Sequence, residues 1–172
     1  MALVVEDGTG KTTSDSYISI ADADTYNLAH EADAVYGALD DADKEKWLRL
    51  AAQDIDNSLR DRWRGSRSNE TQAMAWPRTG VVDEDGYTID DDDMPVVLGY
   101  AQTEMAVSYA NGGDRLTATP SETADIRRKL VKAGPVEQEI EYMGGKSSSA
   151  QIYIVNSMLI GLVKSGISVE RN

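Results

Sequence analysis

Asp41-Ala42-Asp43-Lys44-Glu45-Lys46-Trp47-Leu48-Arg49-Leu50-Ala51-Ala52-Gln53-Asp54-Ile55-Asp56-Asn57-Ser58-Leu59 is the stretch on which the fold turns. Trp47, Ala51, Ile55 and Leu59 recur at i, i+4, while Lys44, Glu45, Arg49 and Asp56 lie elsewhere around the wheel. That is the pattern of a helix with one buried stripe. Asp40 or Asp41 can cap it, and acidic residues in the first turn suit the positive end of the helix dipole.

Helical signals recur on both sides. Ser19-Ile20-Ala21-Asp22 reads as a capping box opening a helix to about His30, with Ile20, Ala23 and Tyr26 near one face. Asp93 is placed to cap a third helix, with Pro95 in its first turn, where a missing N–H costs nothing. Val97, Leu98, Ala101, Met105 and Tyr109 form its apolar face, and Asn111-Gly112-Gly113 ends it. A fourth helix starts at Ser147-Ser148-Ser149, aligns Ile152, Val155, Leu159 and Leu162, and stops at Gly166.

The segments between read differently. Residues 1–18 suggest a short strand (Ala2 to Val5), a glycine-rich turn and a second extended piece. Trp76-Pro77-Arg78-Thr79-Gly80 is a rigid turn, and Val81 to Ile89 a hairpin around Asp85-Gly86. Val136 to Tyr142 alternates apolar and polar, and Ile126 to Ala133 is its natural partner, predicting a hairpin over about 124–143. The expected fold is mainly α: a small bundle of about four helices with short N-terminal strands and a β-hairpin before the C-terminal helix. It forms one domain over 1–172, with a helical core at about 19–113 and 148–165. An isolated hairpin is marginally stable, so the expected support is a neighbouring subunit.

Composition narrows function. With 41% hydrophobic and 27% charged residues the chain is globular rather than disordered. Eight Tyr and three Trp with no Phe suit half-buried positions and interfaces. A formal net charge of −13 repels nucleic acid overall, because duplex affinity comes from neutralising phosphates. The lack of Cys excludes disulfides, thiolate chemistry and Cys-based metal sites, and a single histidine, His30, excludes a three-His metal centre. The opening residues lack a signal peptide's basic and apolar regions, and the apolar stretch Ile152 to Val163 is broken by Tyr153, Asn156, Ser157 and Gly161. No membrane span is expected, and the protein is expected to stay in the cytosol.

Three motifs invite chemistry. Gly8-Thr9-Gly10-Lys11-Thr12 approaches a phosphate-binding loop, but that motif needs glycine where Val5 stands and a helix after it. Asp83-Glu84-Asp85-Gly86 and the run Asp90-Asp91-Asp92-Asp93 lack the spacing and closing glutamate of a calcium loop. No pair of carboxylates is singled out for acid–base work. The expectation is therefore no enzyme, no cofactor and no metal. Arg60, Arg62, Trp63, Arg64 and Arg67 form the nucleic-acid-like cluster, since Arg neutralises phosphate and an aromatic stacks on bases. Trp and Arg also dominate protein–protein hot spots. With this charge, the interface reading of Arg60, Arg62, Trp63, Arg64, Trp76, Pro77, Arg78, Ile140 and Tyr142 is the favoured one.

Several blocks together resemble a known family: Val4 to Gly10, Asp15-Ser16-Tyr17-Ile18-Ser19 leading into Ala23-Asp24-Thr25-Tyr26, Arg62-Trp63-Arg64-Gly65, Gln72 to Gly80, and Gly134-Pro135-Val136-Glu137. The series is similar to phage proteins labelled DnaT-like single-stranded-DNA-binding, over about residues 1–165. Their gene neighbourhood and helical core are similar to those of head–tail connector (adaptor) proteins of long-tailed phages. The resemblance implies a ring, commonly twelve-fold, beneath the portal, which extends the DNA channel and seats the tail or its terminator. Implied partners are further copies of the chain, the portal protein, and tail terminator or neck proteins. Genomic double-stranded DNA would pass without specific binding, and no membrane is involved. The implied location is the virion neck, after synthesis in the host bacterial cytoplasm. Asp90, Asp91, Asp92 and Asp93 are then candidates to face the channel. The competing expectation is a replication accessory protein that binds single strands through Arg60 to Arg67 and Trp63.

Overall fold

The computed structural model describes residues 2–30, 32–113, 115, 126–132, 137–142 and 148–164. Among them lie five α-helices: α1 (Ile20–Ala29), α2 (Ala34–Gly37), α3 (Asp41–Ser58), α4 (Val96–Ala110) and α5 (Ser148–Met158), followed by a 3-10 turn at Ile160–Leu162. Three two-stranded antiparallel pairs accompany them: β1 (Ser66–Arg67) with β2 (Arg78–Thr79), β3 (Val81–Val82) with β4 (Thr88–Ile89), and β5 (Ile126–Lys132) with β6 (Glu137–Tyr142). The chain is mainly helical with small hairpins. The expected stop at Gly166 lies outside the described residues, as does the turn of the last hairpin.

α3 forms as its pattern predicts. Asp40 accepts the Asp43 N–H at 2.8 Å, and Leu48, Ala51, Ala52 and Ile55 are buried. Trp47 is only half-buried, so the stripe is rotated slightly from the expected one. Ser19 caps α1, accepting the Asp22 N–H at 3.1 Å. α2 is a single turn capped by Asp33, too short for periodicity to reveal.

α4 is the central element and packs on α1, α2, α3 and α5. It was expected to bury one face, yet Leu98, Ala101, Gln102, Thr103, Met105, Ala106 and Ser108 are all buried. Small and polar residues permit close approach: Gly99 lies against Ile18, whose Cβ would be 3.0 Å from an added methyl. Gln102 supplies the polar key. Its amide donates to Ser16 Oγ at 2.7 Å and to the Leu48 carbonyl at 2.9 Å, and its oxygen accepts the Tyr17 N–H at 2.8 Å. Those bonds tie α4, α3 and the N-terminal segment together with every group satisfied.

Two local expectations are corrected. The N-terminal strands reduce to one parallel bridge, Val5 to Ser16, because the chain between them wraps a side chain instead of pairing. Asp93 does not cap α4: the helix begins at Val96, Pro95 is the N-cap residue with φ −54° and ψ 120°, and no side chain caps the helix. The C-terminus of α4 is as expected, with Gly112 at φ +78° and the Gly113 N–H donating to the Ser108 carbonyl.

Candidate interaction site

The glycine-rich loop does cradle an anion, and the anion is its own. Glu6 is buried, and its carboxylate accepts the N–H groups of Asp7 (3.2 Å), Gly8 (3.2 Å), Gly10 (2.9 Å) and Lys11 (2.9 Å), and the Ser14 hydroxyl (2.7 Å). Consecutive amides converging on one point make an anion nest; here a side chain two residues upstream fills it. The Lys11 ammonium meets the Val5 carbonyl at 2.8 Å and Asp7 at 2.8 Å. Lys11 and Thr9 together hold the Asp7 carboxyl well below the usual carboxylate range. Gly8 must be glycine: its φ is +93°, and an added Cβ would lie 1.8 Å from the Asp92 carbonyl oxygen. The nest is thereby pressed against the backbone of the acidic run, whose four aspartates are solvent-exposed. Ser68 anchors the same run through the Asp91 carbonyl at 2.8 Å.

The Trp-Pro-Arg-Thr-Gly segment closes over α3. Trp63, Trp76, Pro77 and Arg78 are buried, and the two indoles meet edge-on at 6.1 Å. The Trp76–Pro77 peptide is cis. Arg78 donates to the carbonyls of Arg64 (2.6 Å), Gly65 (2.8 Å) and Ala75 (3.1 Å), using the planar fork that only arginine offers. Gln72 adds bonds to the Met74 and Pro77 carbonyls. Arg64 reaches the carbonyls of Val163 (3.1 Å) and Val82 (2.9 Å), joining this segment to the end of the 3-10 turn that follows α5 and to β3. Of the residues singled out by sequence, Arg60 and Arg62 face solvent and Arg64 does so in part; Arg67 is also exposed. Ile140 and Tyr142 occupy alternate positions of β6, in register with Lys129 and Ile126.

Beneath this segment runs a trough along the second half of α3. Two cavities of about 730 and 520 Å³ share Asp56, Asn57, Ala73 and Met74; Lys46 and Arg49 line one end, Arg60, Arg67 and Arg78 the other. Its cations are largely engaged within the chain. Arg49 pairs with Asp15 at 2.6 Å and Glu45 at 3.1 Å, and Arg67 donates to the Glu70 carbonyl. Asp56 sits where the cavities join, accepting the Tyr17 hydroxyl at 2.5 Å and the Ala75 N–H at 2.8 Å. Burial pushes its carboxyl up to about 6, against those bonds and the charges of Arg78 and Arg67.

Two apolar surface regions stand apart from the trough. Tyr153 (74% exposed) and Ile160 (55%) lie on α5 and the turn after it; Val82 and Tyr87 lie on the β3–β4 hairpin. These elements abut, since the Arg64 guanidinium bridges them and Glu84 lies beside Gly161. Elsewhere, Tyr26 stacks on both His30 (4.0 Å) and Tyr100 (4.4 Å), whose own rings lie 6.3 Å apart, at a cleft of about 420 Å³ also lined by Met94, Pro95 and Val96. The paired aspartate turn is a simple one: Asp83 accepts the N–H groups of Asp85 and Tyr87. Among the described residues, no three His, Cys, Asp or Glu side chains are grouped to hold a metal, and no helix is long and apolar enough to cross a membrane.

The family model described as "Putative DnaT-like ssDNA binding protein" matches residues 1–172. The chain belongs to this family. No curated protein and no solved structure matches it. The blocks through which the sequence resembles the family have distinct structural jobs here: the first encloses Glu6, the second meets Gln102, and the Trp-Pro-Arg-Thr-Gly block roofs α3. Glu6, Asp56 and Gln102 were not anticipated from sequence. A glutamate immediately ahead of a glycine-rich turn was the available signal for Glu6; the other two had none, being polar positions of helices.

Proposed function

We propose that this family member is a structural virion subunit, a head–tail connector (adaptor) whose copies form a ring below the portal, extend the DNA channel and join capsid to tail. In this reading the single domain is a small helical bundle forming the ring wall, and the β5–β6 hairpin protrudes from it. The observation that carries it is the pair of separate apolar surfaces, one at Val82, Tyr87, Tyr153 and Ile160, the other at the cleft where Val96 and Tyr100 are exposed beside the buried Tyr26. A head-to-tail contact needs two different patches on each subunit, and such contacts close into rings. Scattered exposed apolar residues are ordinary; grouping on abutting elements is what favours an interface. The exposed Asp90 to Asp93 run and the net charge of −13 suit a lumen past which DNA slides without sticking.

A second reading, single-stranded-DNA binding, draws on the family's description and on exposed Arg60, Arg62 and Arg67. It is disfavoured because Trp63 is turned inward against Trp76, and a stacking platform needs an accessible ring. Tyr153→Ser with Ile160→Ser tests the preferred reading. The variant folds, loses self-association and yields particles without tails; unchanged assembly and tail joining overturn it. A gel-shift titration at low salt tests the rival, which requires tight, salt-sensitive binding.

A further inference from the structure

We infer that strand addition completes the subunit contact alongside the two apolar surfaces, the free edge of β5 in one copy pairing with the free edge of β6 in the next. This rests on the ring-forming reading above and names a further part of the same head-to-tail contact. β5 and β6 form a two-stranded sheet, so each strand has one edge unpaired among the described residues. Such an edge presents a row of unpaired N–H and C=O groups that templates another strand. The sequence segregates charge between the two edges. β5 carries Arg127, Arg128, Lys129 and Lys132 and no acid; β6 carries Glu137, Glu139 and Glu141 and no base.

Part of that complementarity serves the hairpin itself, for the register sets Arg128 opposite Glu141 and Lys132 opposite Glu137. Part does not. Lys129 is in register with Ile140, Glu139 with Leu130, and Arg127 falls at the irregularity between Ile126 and Arg128. Those charges have no opposite-sign residue directly across their own hairpin. Two β5 edges repel, as do two β6 edges, since like charges opposite one another destabilise a strand pair. A symmetric, two-fold contact is therefore disfavoured. The β5-to-β6 contact is attractive, and being head-to-tail it propagates from copy to copy, giving a ring when the rotation between copies closes. The alternation supports it from the other direction: Ile126, Val131, Ile140 and Tyr142 fall at register positions of one face, leaving the hairpin amphipathic and in need of a neighbour.

A charge swap that spares the hairpin's own pairing isolates the claim. The swap variant carries Arg128→Glu, Lys129→Glu and Lys132→Glu with Glu137→Lys, Glu139→Lys and Glu141→Lys, keeping net charge and intrachain complementarity. Wild-type chain and isotope-labelled swap variant are refolded together and their oligomers weighed by native mass spectrometry. Each species assembles with itself. Mixed contacts fall at least about tenfold below random mixing, about 1.4 kcal/mol per contact. Free mixing of two assembling proteins overturns the edge pairing and leaves the connector reading standing. A wild-type chain that stays monomeric also overturns it, while the connector reading is judged separately by its copies in particles. Single variants guard against misfolding of the swap: Lys129→Glu and Glu139→Lys each weaken self-association in sedimentation, and no weakening in either overturns the inference.

Discussion

Replacing Glu6 is the sharpest perturbation of the folded subunit. Five donors converge on its carboxylate, and the bonds from Gly8, Gly10 and Ser14 are buried. Glu6→Ala removes the acceptor and strands them. A buried donor left unpaired costs about 1–3 kcal/mol, and water entering the vacated volume recovers some of that, so the expected loss is about 3–5 kcal/mol. Glu6→Gln keeps the shape and one acceptor oxygen, but turns an NH₂ toward donors and gives up charge-assisted bonds, for about 2–3 kcal/mol. For a domain of this size each kcal/mol shifts Tm by about 2–4 °C, so the Ala variant melts about 6–20 °C lower. Urea unfolding of the three proteins, with m unchanged, gives the differences directly. A Gln variant within about 1 kcal/mol of wild type would refute the occupied-nest account, because the loop would then hold its shape without the carboxylate. ATP titration supplies a second readout: the wild-type loop binds none, since its amides are taken and a carboxylate occupies the phosphate position.

Three other substitutions follow from the same structure. Arg78→Lys cannot reach three carbonyls at once and costs about 2–4 kcal/mol in urea unfolding; a loss below about 0.5 kcal/mol would mean that those bonds do not hold the segment. Gly8→Ala forces an L-residue to positive φ and into the Asp92 carbonyl, costing at least about 2 kcal/mol by thermal melting; a neutral result contradicts the packing of the nest on the acidic run. Asp56 is raised from the ordinary 3.8 to about 6. The folded state thus binds the proton more tightly than the unfolded chain. Its ionisation penalty is absent below the lower value and complete above the upper one. Stability from this group falls as pH rises across that window, by about 3 kcal/mol. Asp56→Asn removes that slope relative to wild type, as measured by urea midpoints across the range; parallel pH profiles would contradict it.

Much of the helical frame was legible, because α3, α1 and the glycine end of α4 are set by local rules: period, cap and left-handed turn. The interior of α4 was not. Gln102, Thr103 and Ser108 fall outside the apolar face read from the sequence, and only contacts from residues far along the chain, Ser16 and Leu48, satisfy and bury Gln102. The Trp-Pro-Arg cluster shows the same limit at the candidate site. Composition cannot distinguish a guanidinium that caps carbonyls of its own loop from one offered to a partner; the positions of the Arg64, Gly65 and Ala75 carbonyls decide it. The near-match to a phosphate loop was informative in an unexpected way. The amide geometry it suggested is present, and Glu6, outside the motif, determines its occupant. Charge segregation between β5 and β6 was readable in principle, but it acquires meaning only with the register.

The most direct measurement is the copy number of this polypeptide in purified, tailed particles, by quantitative mass spectrometry against the portal protein. The account predicts a fixed stoichiometry equal to one ring per particle, located at the neck by cryo-electron microscopy. Its absence from mature particles, together with tight binding of the lone chain to single-stranded DNA, would contradict it.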